Sequence, residues 1–457
     1  MPIMNRRRFL AAAAASAAGP AFGATPAPGQ PDFIVIGAGA AGIAAARRIA
    51  GAGRRALVLE ASDRIGGRCF TDTRTFGVPF DRGAHWIHIP DINPLAKLTP
   101  GTGLQINSTP PGLKVRIGRR SAREGETEDY LAALVRASRA IGDAARKADI
   151  PCSRALPTKE LQDWRSSVEF VLGPYARGRD LSEVSAVDFA RSADRDSEAF
   201  CRQGLGTLVV KLAEGLTVQL STPVRGIEAW GRGVEVVTSR GRLTARGAIF
   251  TVSSAVLAAN KIRFEPDLPK RYIDAVNALK LGSFDHIALE LPGNPLGLQS
   301  DDLVFEKAES ERTGALLANV AGSTLCVVGV GGKFGRDLAA QGEAAMVAFA
   351  QDWLTGLYGA DIKKAVRRTS TTRWSDEPWV MGAMSSASPG GQGARRVLME
   401  PFRERIWFAG EAVHETLPGT VGGAWESGER AAEAAMRKFG MVVEPRPEPR
   451  RAPSRRR

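Results

Sequence analysis

A glycine-rich turn between an apolar run and a helical pattern constrains this chain more than any other feature of its sequence. Residues 32–36 form an apolar run of strand length that ends at a Gly-x-Gly-x-x-Gly turn, and apolar residues then recur at helical spacing over residues 43–49. Gly37 permits a tight turn, Gly39 lets the backbone approach a pyrophosphate, and Gly42 lets helix and strand pack closely. The pattern predicts a dinucleotide whose phosphates lie at the helix N-terminus.

A second strand-like run supports the same prediction. Residues 56–59 are apolar and lead into Glu60, 23 residues after Gly37, where an acidic side chain accepts hydrogen bonds from the adenosine ribose. Strand, glycine turn, helix, second strand and terminal acid together predict a Rossmann-like α/β domain. They leave both NAD and FAD open as the dinucleotide.

The residues that follow Glu60 favour FAD. Two adjacent glycines, Gly66 and Gly67, bring the chain against a cofactor, and Arg68 supplies a fixed cation for the pyrophosphate. With Arg64, they form a segment that resembles the glycine-pair motif of the flavin amine oxidase superfamily, which includes monoamine, polyamine and L-amino-acid oxidases. Nicotinamide dehydrogenases do not usually carry this motif. The resemblance therefore implies FAD.

Further matches to this superfamily follow in the family's order and extend over about residues 31–440. Residues 80–88 resemble the segment that passes the flavin, residues 406–411 resemble the last strand of the sheet, and residues 419–424 look like the start of a helix facing the flavin. Ala383 stands where monoamine oxidases keep the flavin-linking cysteine, so FAD is expected to be non-covalent. Besides Gly37, Gly39, Gly42, Glu60, Arg64, Gly66, Gly67 and Arg68, the resemblance implies cofactor contacts from Gly83, Ala84, His85, Trp86, Val224, Trp374, Gly410, Glu411, Thr420, Val421 and Ala424.

The positions of these motifs predict a discontinuous, Rossmann-like FAD-binding domain in an α/β protein. Its expected pieces are residues 31–90, 204–264 and 400–440, and residues 91–203 and 265–399 would form a discontinuous α+β substrate-binding domain. Helices are expected within residues 121–200, with one face formed by Tyr130, Leu131, Leu134 and Ile141. Strands are expected at residues 284–291 and 325–330.

The reaction that the resemblance implies is oxidation of an amine C–N bond. A hydride passes from the α-carbon to flavin N5, the imine is hydrolysed to an aldehyde or ketone plus ammonia or an amine, and O2 is reduced to H2O2. The cofactor carries this chemistry, and the protein positions the substrate.

His286 is the candidate catalytic residue. It stands where most relatives have a lysine near flavin N5. An unperturbed imidazole titrates at about pH 6.5, so His286 could both donate and accept protons near neutrality. We expect it to hydrogen-bond the water beside N5 or the substrate nitrogen. The alternative is a strand histidine satisfied by backbone groups.

The aromatic pair that flanks the amine in monoamine oxidases is replaced here. Met384 and Thr420 stand at its two positions, and Trp379 and Phe284 are the candidate aromatic walls of the substrate pocket. A carboxylate-bearing substrate would need a positioned arginine, for which the candidates are Arg82, Arg177 and Arg373.

The sequence therefore leaves several functions open. An L-amino-acid oxidase or an enzyme like tryptophan 2-monooxygenase is the first alternative to an amine oxidase. A FAD desaturase, an enzyme like protoporphyrinogen oxidase, and a catalytically degenerate flavoprotein are further alternatives. The small-molecule substrate is an amine or an amino acid in the two leading cases.

The N-terminal residues suggest where the protein works. Three arginines at positions 6–8 precede a short apolar, alanine-rich run, and residues 1–30 resemble the twin-arginine-type signal of an exported bacterial protein. This predicts a periplasmic enzyme, in which O2 or a periplasmic cytochrome accepts the electrons. No other apolar run approaches the roughly 18 residues that a membrane helix needs.

Composition argues against several other functions. Part of the formal net charge of +13 lies at the two ends, and residues 441–457 are expected to form a disordered basic tail. The remaining sequence has no stripe of Lys and Arg with interleaved aromatic residues, so no nucleic-acid partner is expected. The four cysteines and four histidines form no metal-ligand pattern. Buried thiols are favoured over a disulfide between Cys152 and Cys201, and the oligomeric state cannot be inferred.

Overall fold

The computed structural model describes residues 30–108, 112–192, 197–231 and 233–441, except for the side chain of Gln162. Apart from Gln30 and Met441, the predicted signal segment 1–30 and the predicted basic tail 441–457 lie outside the described residues. Both remain predictions.

The described residues form strands and helices with the following bounds. In chain order the strands are β1 (Phe33–Ile36), β2 (Ala56–Leu59), β3 (Thr71–Asp72), β4 (Phe80–Asp81), β5 (Trp86–His88), β6 (Ile106–Asn107), β7 (Leu113–Ile117), β8 (Arg120–Ser121), β9 (Glu198–Cys201), β10 (Val218–Gln219), β11 (Val224–Trp230), β12 (Gly233–Thr238), β13 (Gly241–Ala245), β14 (Gly247–Phe250), β15 (Arg263–Glu265), β16 (Leu279–Leu281), β17 (Phe284–Glu290), β18 (Leu303–Glu306), β19 (Ala315–Leu317), β20 (Leu325–Gly331), β21 (Thr369–Thr371), β22 (Ser385–Ala387) and β23 (Ile406–Phe408). The α-helices are α1 (Ala40–Gly51), α2 (Pro94–Leu98), α3 (Glu124–Ala145), α4 (Cys152–Ala155), α5 (Thr158–Leu161), α6 (Arg165–Phe170), α7 (Ala186–Arg191), α8 (Leu205–Leu212), α9 (Ser254–Ala258), α10 (Lys270–Ala278), α11 (Gly332–Ala340), α12 (Glu343–Tyr358), α13 (Asp361–Ala365), α14 (Ala394–Met399) and α15 (Val421–Lys438). Short 3-10 turns lie at Thr99–Thr102, Gln162–Trp164, Val320–Gly322 and Glu411–Val413, and a π-helical turn lies at Val171–Tyr175.

A five-stranded parallel sheet forms the centre of the first domain. Its strand order is β10-β2-β1-β14-β23, and β1 pairs in parallel with both β2 and β14. Helices α1 and α15 pack together on this sheet, and their contact is close because it is made of small residues: a Cβ added at Gly428 would lie 2.0 Å from the carbonyl oxygen of Ala41. The predicted Rossmann-like domain is therefore confirmed.

The middle segment of the predicted FAD-binding domain adds a second, four-stranded sheet with the order β13-β12-β11-β15. Buried and half-buried residues alternate strictly along β12, as expected for a strand with one face on the core. Val224, which the resemblance implies as a cofactor contact, begins β11.

The second domain contains a mixed seven-stranded sheet with the order β21-β17-β20-β19-β18-β7-β8. Strands β17 and β20 pair antiparallel and coincide with the strands predicted at residues 284–291 and 325–330. One face of the sheet packs under helices α11 and α12, which contribute Leu338, Phe349 and Leu354 to the core. The other face is turned toward Phe76 and Phe80 of the first domain.

The face predicted for helix α3 is confirmed for Tyr130 and Ile141 and is wrong for Leu131. The buried positions are Tyr130, Ala133, Ala137 and Ile141, whereas Leu131 is 42% exposed. These buried positions recur every three or four residues, which is the spacing of one helix face. Leu134 is half-buried against the same core, and it lines a cavity together with Leu131.

The four cysteines are all buried thiols, as favoured from the sequence, and Cys152 and Cys201 form no disulfide. Within the described ranges, no helix is long and apolar enough to cross a bilayer. The same ranges hold no cluster of three or more His, Cys, Asp or Glu residues arranged to bind a metal ion.

Candidate cofactor and active site

A cavity of about 1170 Å³ is lined by residues of both domains. With one exception, Gly42, every residue predicted to bind the cofactor or to form the substrate pocket lies in its wall. Gly42 instead packs behind the turn, where an added Cβ would lie 1.9 Å from the carbonyl oxygen of Gly37. This is the close packing of helix and strand that the sequence predicted for the third glycine.

The first glycine turn leaves the start of helix α1 open toward the cavity. Gly37 has a φ of +106°, which favours glycine, and an added Cβ there would lie 2.6 Å from Thr251 Oγ1. Gly39 caps α1 without any side-chain hydrogen bond, and the atom nearest to a Cβ added at Gly39 would be 4.0 Å away. The first N–H groups of α1 therefore lack a side-chain cap and are available to phosphate oxygens.

The Glu60 carboxylate is fixed beside this turn. Its oxygens accept hydrogen bonds from Ala38 N at 2.7 Å and from Ser62 N and Oγ at 2.8 Å. A carboxylate offers about four lone-pair positions, so capacity remains for a ribose hydroxyl. Ser62 was not among the predicted residues, although its position two residues after Glu60 is the spacing of a local side-chain turn.

The second glycine motif lies directly against the first. Gly66 and Gly67 both have positive φ angles, +114° and +58°, and Gly66 pairs with Gly39 in an isolated parallel bridge. Arg64 Nη1 donates to the carbonyl oxygen of Gly67 at 2.8 Å, which closes the loop on itself. The two glycine motifs thus form one continuous cradle for a dinucleotide.

Arg68, which was expected to supply a cation for the pyrophosphate, is held in the cavity wall by two protein groups. Its Nη1 lies 2.8 Å from Glu411 Oε1 and also donates to the carbonyl oxygen of Ala383. Arg68 lines the cavity, but its charge is paired with a carboxylate 343 residues away in the chain. The sequence could not reveal this pairing because the two residues meet only in the folded protein.

The Glu411 carboxylate is ionised and binds groups of both domains. Burial by itself would raise the pKa of Glu411, but Arg68 and the hydrogen bond from Ser385 outweigh it and lower the pKa. Ser385 Oγ donates at 2.6 Å and Gly419 N donates at 2.9 Å to Oε2. Glu411 therefore holds three separate segments at one point of the cavity wall.

Tight packing places the segment around Gly83 against the cavity. A Cβ added at Gly83 would lie 2.0 Å from the carbonyl oxygen of Arg68 and 2.9 Å from the Trp374 ring. Trp374 donates through Nε1 to the carbonyl oxygen of Arg82 at 3.0 Å. Gly83, Ala84, His85, Trp86 and Trp374 thus line the same wall, as the resemblance implied.

Two imidazoles of the cavity wall are attached to one residue, Asp81. His85 Nδ1 lies 2.9 Å from the Asp81 carboxylate, and His286 Nδ1 lies 3.0 Å from the Asp81 carbonyl oxygen. A carbonyl oxygen only accepts, so His286 carries its proton on Nδ1 and has a lone pair on Nε2. Asp81 is itself held by Thr71 Oγ1 at 2.6 Å and by Leu205 N at 3.0 Å.

The protonation state of His286 differs from the expectation for an unperturbed imidazole. Burial lowers the pKa of His286 to about 4, although the hydrogen bond to the Asp81 carbonyl raises it in part. The ring is therefore neutral at pH 7 and acts as a hydrogen-bond acceptor through Nε2. The alternative prediction was that backbone groups accept or donate all hydrogen bonds of the His286 ring. This is correct for Nδ1 but not for Nε2, which makes no hydrogen bond within the described part of the chain.

Phe284 and Met384 stand with His286, as predicted for the substrate pocket. The Phe284 and His286 rings are 5.6 Å apart and perpendicular, and Tyr175 lies against Phe284 at 5.8 Å. A Cβ added at Gly178 would lie 3.4 Å from Met384 Cγ, so the segment after Tyr175 borders this pocket. Tyr175 was missed because a π-helical turn gives no 3.6-residue periodicity.

Two predicted pocket residues have other roles. The Thr420 hydroxyl caps helix α15: it accepts from Gly423 N at 2.9 Å and donates to the Leu417 carbonyl oxygen, so the side chain is turned into the helix. Trp379 is 42% exposed and its ring lies 5.9 Å from Lys261 Nζ, beside residues that follow strand β14 of the first domain. Trp379 lines the cavity with its ring beside Lys261.

The three arginines proposed as carboxylate anchors are also separated by the structure. Arg82 donates to Ser370 and Thr371, and Arg373 pairs with Asp376 at the surface at 3.1 Å. Arg177 lines the cavity, with its guanidinium 3.8 Å from the centre of the Phe189 ring. Of these three arginines, only Arg177 lies where a substrate carboxylate could meet it.

These residues fit FAD. The uncapped start of α1, the ribose-directed carboxylate of Glu60 and the glycine cradle suit the adenosine diphosphate half, and the wall formed by Gly83 to Trp86 and the start of α15 suits a ring system. Ala383 carries no nucleophile, in agreement with non-covalent binding.

The fold and the cavity together define a two-domain flavoprotein, with a parallel-sheet dinucleotide domain and an α+β substrate domain. The chain belongs to the family described as flavin containing amine oxidoreductase, which matches residues 40–436, and FAD is its cofactor.

Relatives of two kinds agree with this family. The chain is 29% identical over 452 residues to lysine-specific histone demethylase 2 of Homo sapiens, with 87% of this chain and 52% of that protein covered. It is 26% identical over 454 residues to polyamine oxidase 4 of Oryza sativa subsp. japonica, with 90% of each chain covered. The chain spans about half the length of the histone demethylases that it matches.

Solved structures show the same fold. Cyclohexylamine oxidase from Brevibacterium oxydans IH-35A superimposes with a TM-score of 0.76 at 23% identity, covering 90% of this chain and 100% of that chain. Putrescine oxidase bound to putrescine superimposes with a TM-score of 0.76 at 19% identity, covering 89% of this chain and 99% of that chain. The predicted fold class is confirmed.

Proposed function

We propose that this protein oxidises the C–N bond of a small-molecule amine to an imine, which hydrolyses to an aldehyde or ketone plus ammonia or an amine. The observation that carries the proposal is the His286 imidazole, held through Nδ1 by the Asp81 carbonyl oxygen in the wall of a cavity that also holds the FAD cradle. Membership of the flavin containing amine oxidoreductase family supports it.

FAD, when bound, supplies the acceptor for the hydride that leaves the α-carbon. His286 Nε2 accepts a hydrogen bond from the amine N–H or from a water bound to the amine, which orients the nitrogen lone pair during hydride loss. Its low pKa keeps the imidazole neutral, so it does not repel an ammonium substrate that enters the cavity.

The walls beside His286 favour a substrate with an apolar body. Phe284, Tyr175, Leu172 and Phe189 line this part of the cavity. Burial of an apolar group against them contributes roughly 25 cal/mol per Å² of surface removed from water. Amines with a ring or an aliphatic chain are therefore the expected substrate class.

Amino acids are the second candidate class, and the position of Arg177 in the cavity wall favours them. A guanidinium presents five donors, so Arg177 can bind a carboxylate while it keeps its hydrogen bond to the Leu172 carbonyl oxygen at 2.9 Å.

The electron acceptor and the cellular location complete the proposal. O2 is reduced to H2O2, and a periplasmic cytochrome is the alternative acceptor. The sequence of residues 1–30 supports export through the twin-arginine route to the periplasm.

An anaerobic bleaching screen tests the function directly. The FAD-loaded protein is mixed without oxygen with aliphatic amines, aromatic amines, polyamines and L-amino acids, and the flavin absorbance is followed. Bleaching by one class, with formation of the matching carbonyl product, supports the proposal and identifies the substrate. If the protein holds stoichiometric FAD and its flavin is bleached by an apolar donor but by no amine or amino acid, the enzyme is desaturase-like instead.

A further inference from the structure

A second, smaller cavity of about 50 Å³ shares Phe284 and His286 with the main cavity. It lies between the seven-stranded sheet and the segment that contains β4 and β5. The sheet contributes an apolar wall of Leu303, Ala315, Leu317, Leu325, Val327 and Gly329.

Strand β20 separates this cavity from the core of the second domain. Leu325, Val327 and Gly329 face the small cavity, whereas Val328 and Val330 pack in the core under helices α11 and α12. The alternation follows from the two-residue period of a strand. A substitution at Val327 therefore changes the small cavity, whereas the same substitution at Val328 changes the core.

The polar groups around the small cavity are almost all engaged. The Asp81 carboxylate accepts from Thr71, His85 and Leu205, and His286 Nδ1 is held by the Asp81 carbonyl. Among the described residues of this wall, His85 Nε2 is the one buried side-chain nitrogen or oxygen without a partner. A buried water needs two to four polar partners, and apolar cavities that lack them stay dry and take apolar guests such as xenon.

We propose that this small cavity is a binding site for dioxygen on its way to the cofactor. The inference rests on the proposed function, because it assumes that O2 reoxidises the FAD that the amine has reduced. Dioxygen is small and apolar, and the small cavity adjoins the main cavity through residues that line both, namely His85, Trp86, Tyr175, Phe284 and His286. Each O2 takes two electrons and two protons, from reduced FAD and water, and leaves as H2O2, and FAD returns to its oxidised form.

The first test measures reoxidation without any substrate. The FAD-loaded protein is reduced with dithionite and mixed with buffers of rising O2 concentration, for the wild type and for Ala315→Val and Val327→Ile, which fill the cavity. Val328→Ile adds the same methylene on the opposite face of β20 and is the matched control. We expect the two filling variants to react with O2 about tenfold more slowly, while Val328→Ile stays at the wild-type rate. Reoxidation by ferricenium, which is too large for the cavity, should not change in any variant.

Each outcome of this test has a defined meaning. Equal O2 rates in Val327→Ile and Val328→Ile would overturn the site, and so would a wild-type protein whose reduced flavin does not react with O2. Amine oxidation, measured anaerobically, would stand in both cases. Conversely, the filling variants could react slowly with O2 while no amine reduces the flavin. That result would support the dioxygen site and contradict the proposed function.

A second test does not depend on turnover. Crystals of the full chain with FAD are pressurised with xenon, whose size and polarity suit an apolar gas site. Xenon density in the small cavity of the wild type, and its loss in Ala315→Val, would support the proposal. An ordered water at His85 Nε2 in place of xenon would overturn it.

Discussion

Arg395 and Asp188 form a buried bidentate ion pair, with Nε–Oδ1 and Nη2–Oδ2 distances of 2.9 Å each and exposed fractions of 2% and 5%. The same guanidinium donates through Nη1 to the Ala412 carbonyl oxygen at 2.8 Å, directly beside Glu411. Helix α7, which contributes Phe189 to the cavity wall, is thereby attached to the segment that holds Glu411.

Replacing Arg395 with Met should destabilise the protein and weaken FAD binding. The change leaves Asp188 buried without a cation, which costs about 3–5 kcal/mol. We expect a lower melting temperature of the apoprotein and a higher FAD Kd, measured by flavin fluorescence. Arg396→Gln, on the same helix but exposed and paired with Glu415, is the matched control and should change stability by less than about 1 kcal/mol. Equal losses in the two variants would contradict a special role for Arg395.

Asp285 should make stability depend on pH in an unusual direction. Burial raises the pKa of Asp285 to about 6, although hydrogen bonds from Trp374 and Thr372 lower it in part. The carboxyl of the folded protein stays neutral while that of the unfolded chain ionises, so its contribution to stability is full below about pH 4 and is lost as the pH rises to about 6.

Asp285→Asn removes this loss and keeps an oxygen that accepts both hydrogen bonds. Relative to the wild type, the variant should gain stability between pH 4 and pH 6, by about 3 kcal/mol at most, and the gain should stay constant above pH 7. Calorimetric melting temperatures at a series of pH values measure it, with the exposed Asp274→Asn as control. A difference between variant and wild type that does not change with pH would show that Asp285 has an ordinary pKa.

His286→Ala should slow anaerobic flavin reduction by about fivefold or more, because the loss of one hydrogen bond to the amine costs about 1 kcal/mol or more. His286→Gln keeps an acceptor and should recover part of the rate. Since the pKa of His286 lies at about 4, the imidazole does not titrate between pH 5.5 and pH 9.

The pH profile of flavin reduction should therefore follow the substrate. The acid limb should shift with the pKa of the amine and keep its position in His286→Gln. Stopped-flow reduction with two amines of different pKa measures this. A limb near pH 6.5 that disappears in His286→Gln would show instead that His286 titrates during catalysis.

Gly39 and Gly42 should separate cofactor binding from folding. A Cβ added at Gly39, where φ is −75°, would lie 4.0 Å from its nearest atom, Gly66 O, and Gly39 lines the cavity. Gly39→Ala should therefore leave the melting temperature of the apoprotein unchanged and raise the FAD Kd. Gly42→Ala should lower the melting temperature with or without FAD, because its Cβ would lie 1.9 Å from Gly37 O. Equal melting temperatures of the two apoproteins would contradict this division.

The cofactor half of the site could be predicted because its signals are local. The glycine turn, the strand before it and Glu60 fall within one short stretch, and each constrains its own backbone: the positive φ of Gly37 and the uncapped start of α1 follow from residues a few positions apart. The discontinuous domain and the strands β17 and β20 followed from the order of the motifs and from resemblance.

The substrate half could be predicted only in part. His286 was found by its position in a strand, but its protonation state depends on burial and on the carbonyl of Asp81, which is 205 residues away in the chain. Trp379 and Thr420 were assigned to the pocket by position, and the structure turns one toward Lys261 and the other into the cap of α15.

The backbone near the dinucleotide follows from local sequence, because glycine conformation, capping and strand patterning act between neighbouring residues. Which charges meet and which polar atoms are desolvated depends on how the chain folds. Arg68 pairs with Glu411 across 343 residues, and two imidazoles attach to one aspartate, because distant segments are pressed into the same low-dielectric wall. Hydrogen-bond partners and pKa values depend on that environment, which no short stretch of sequence contains.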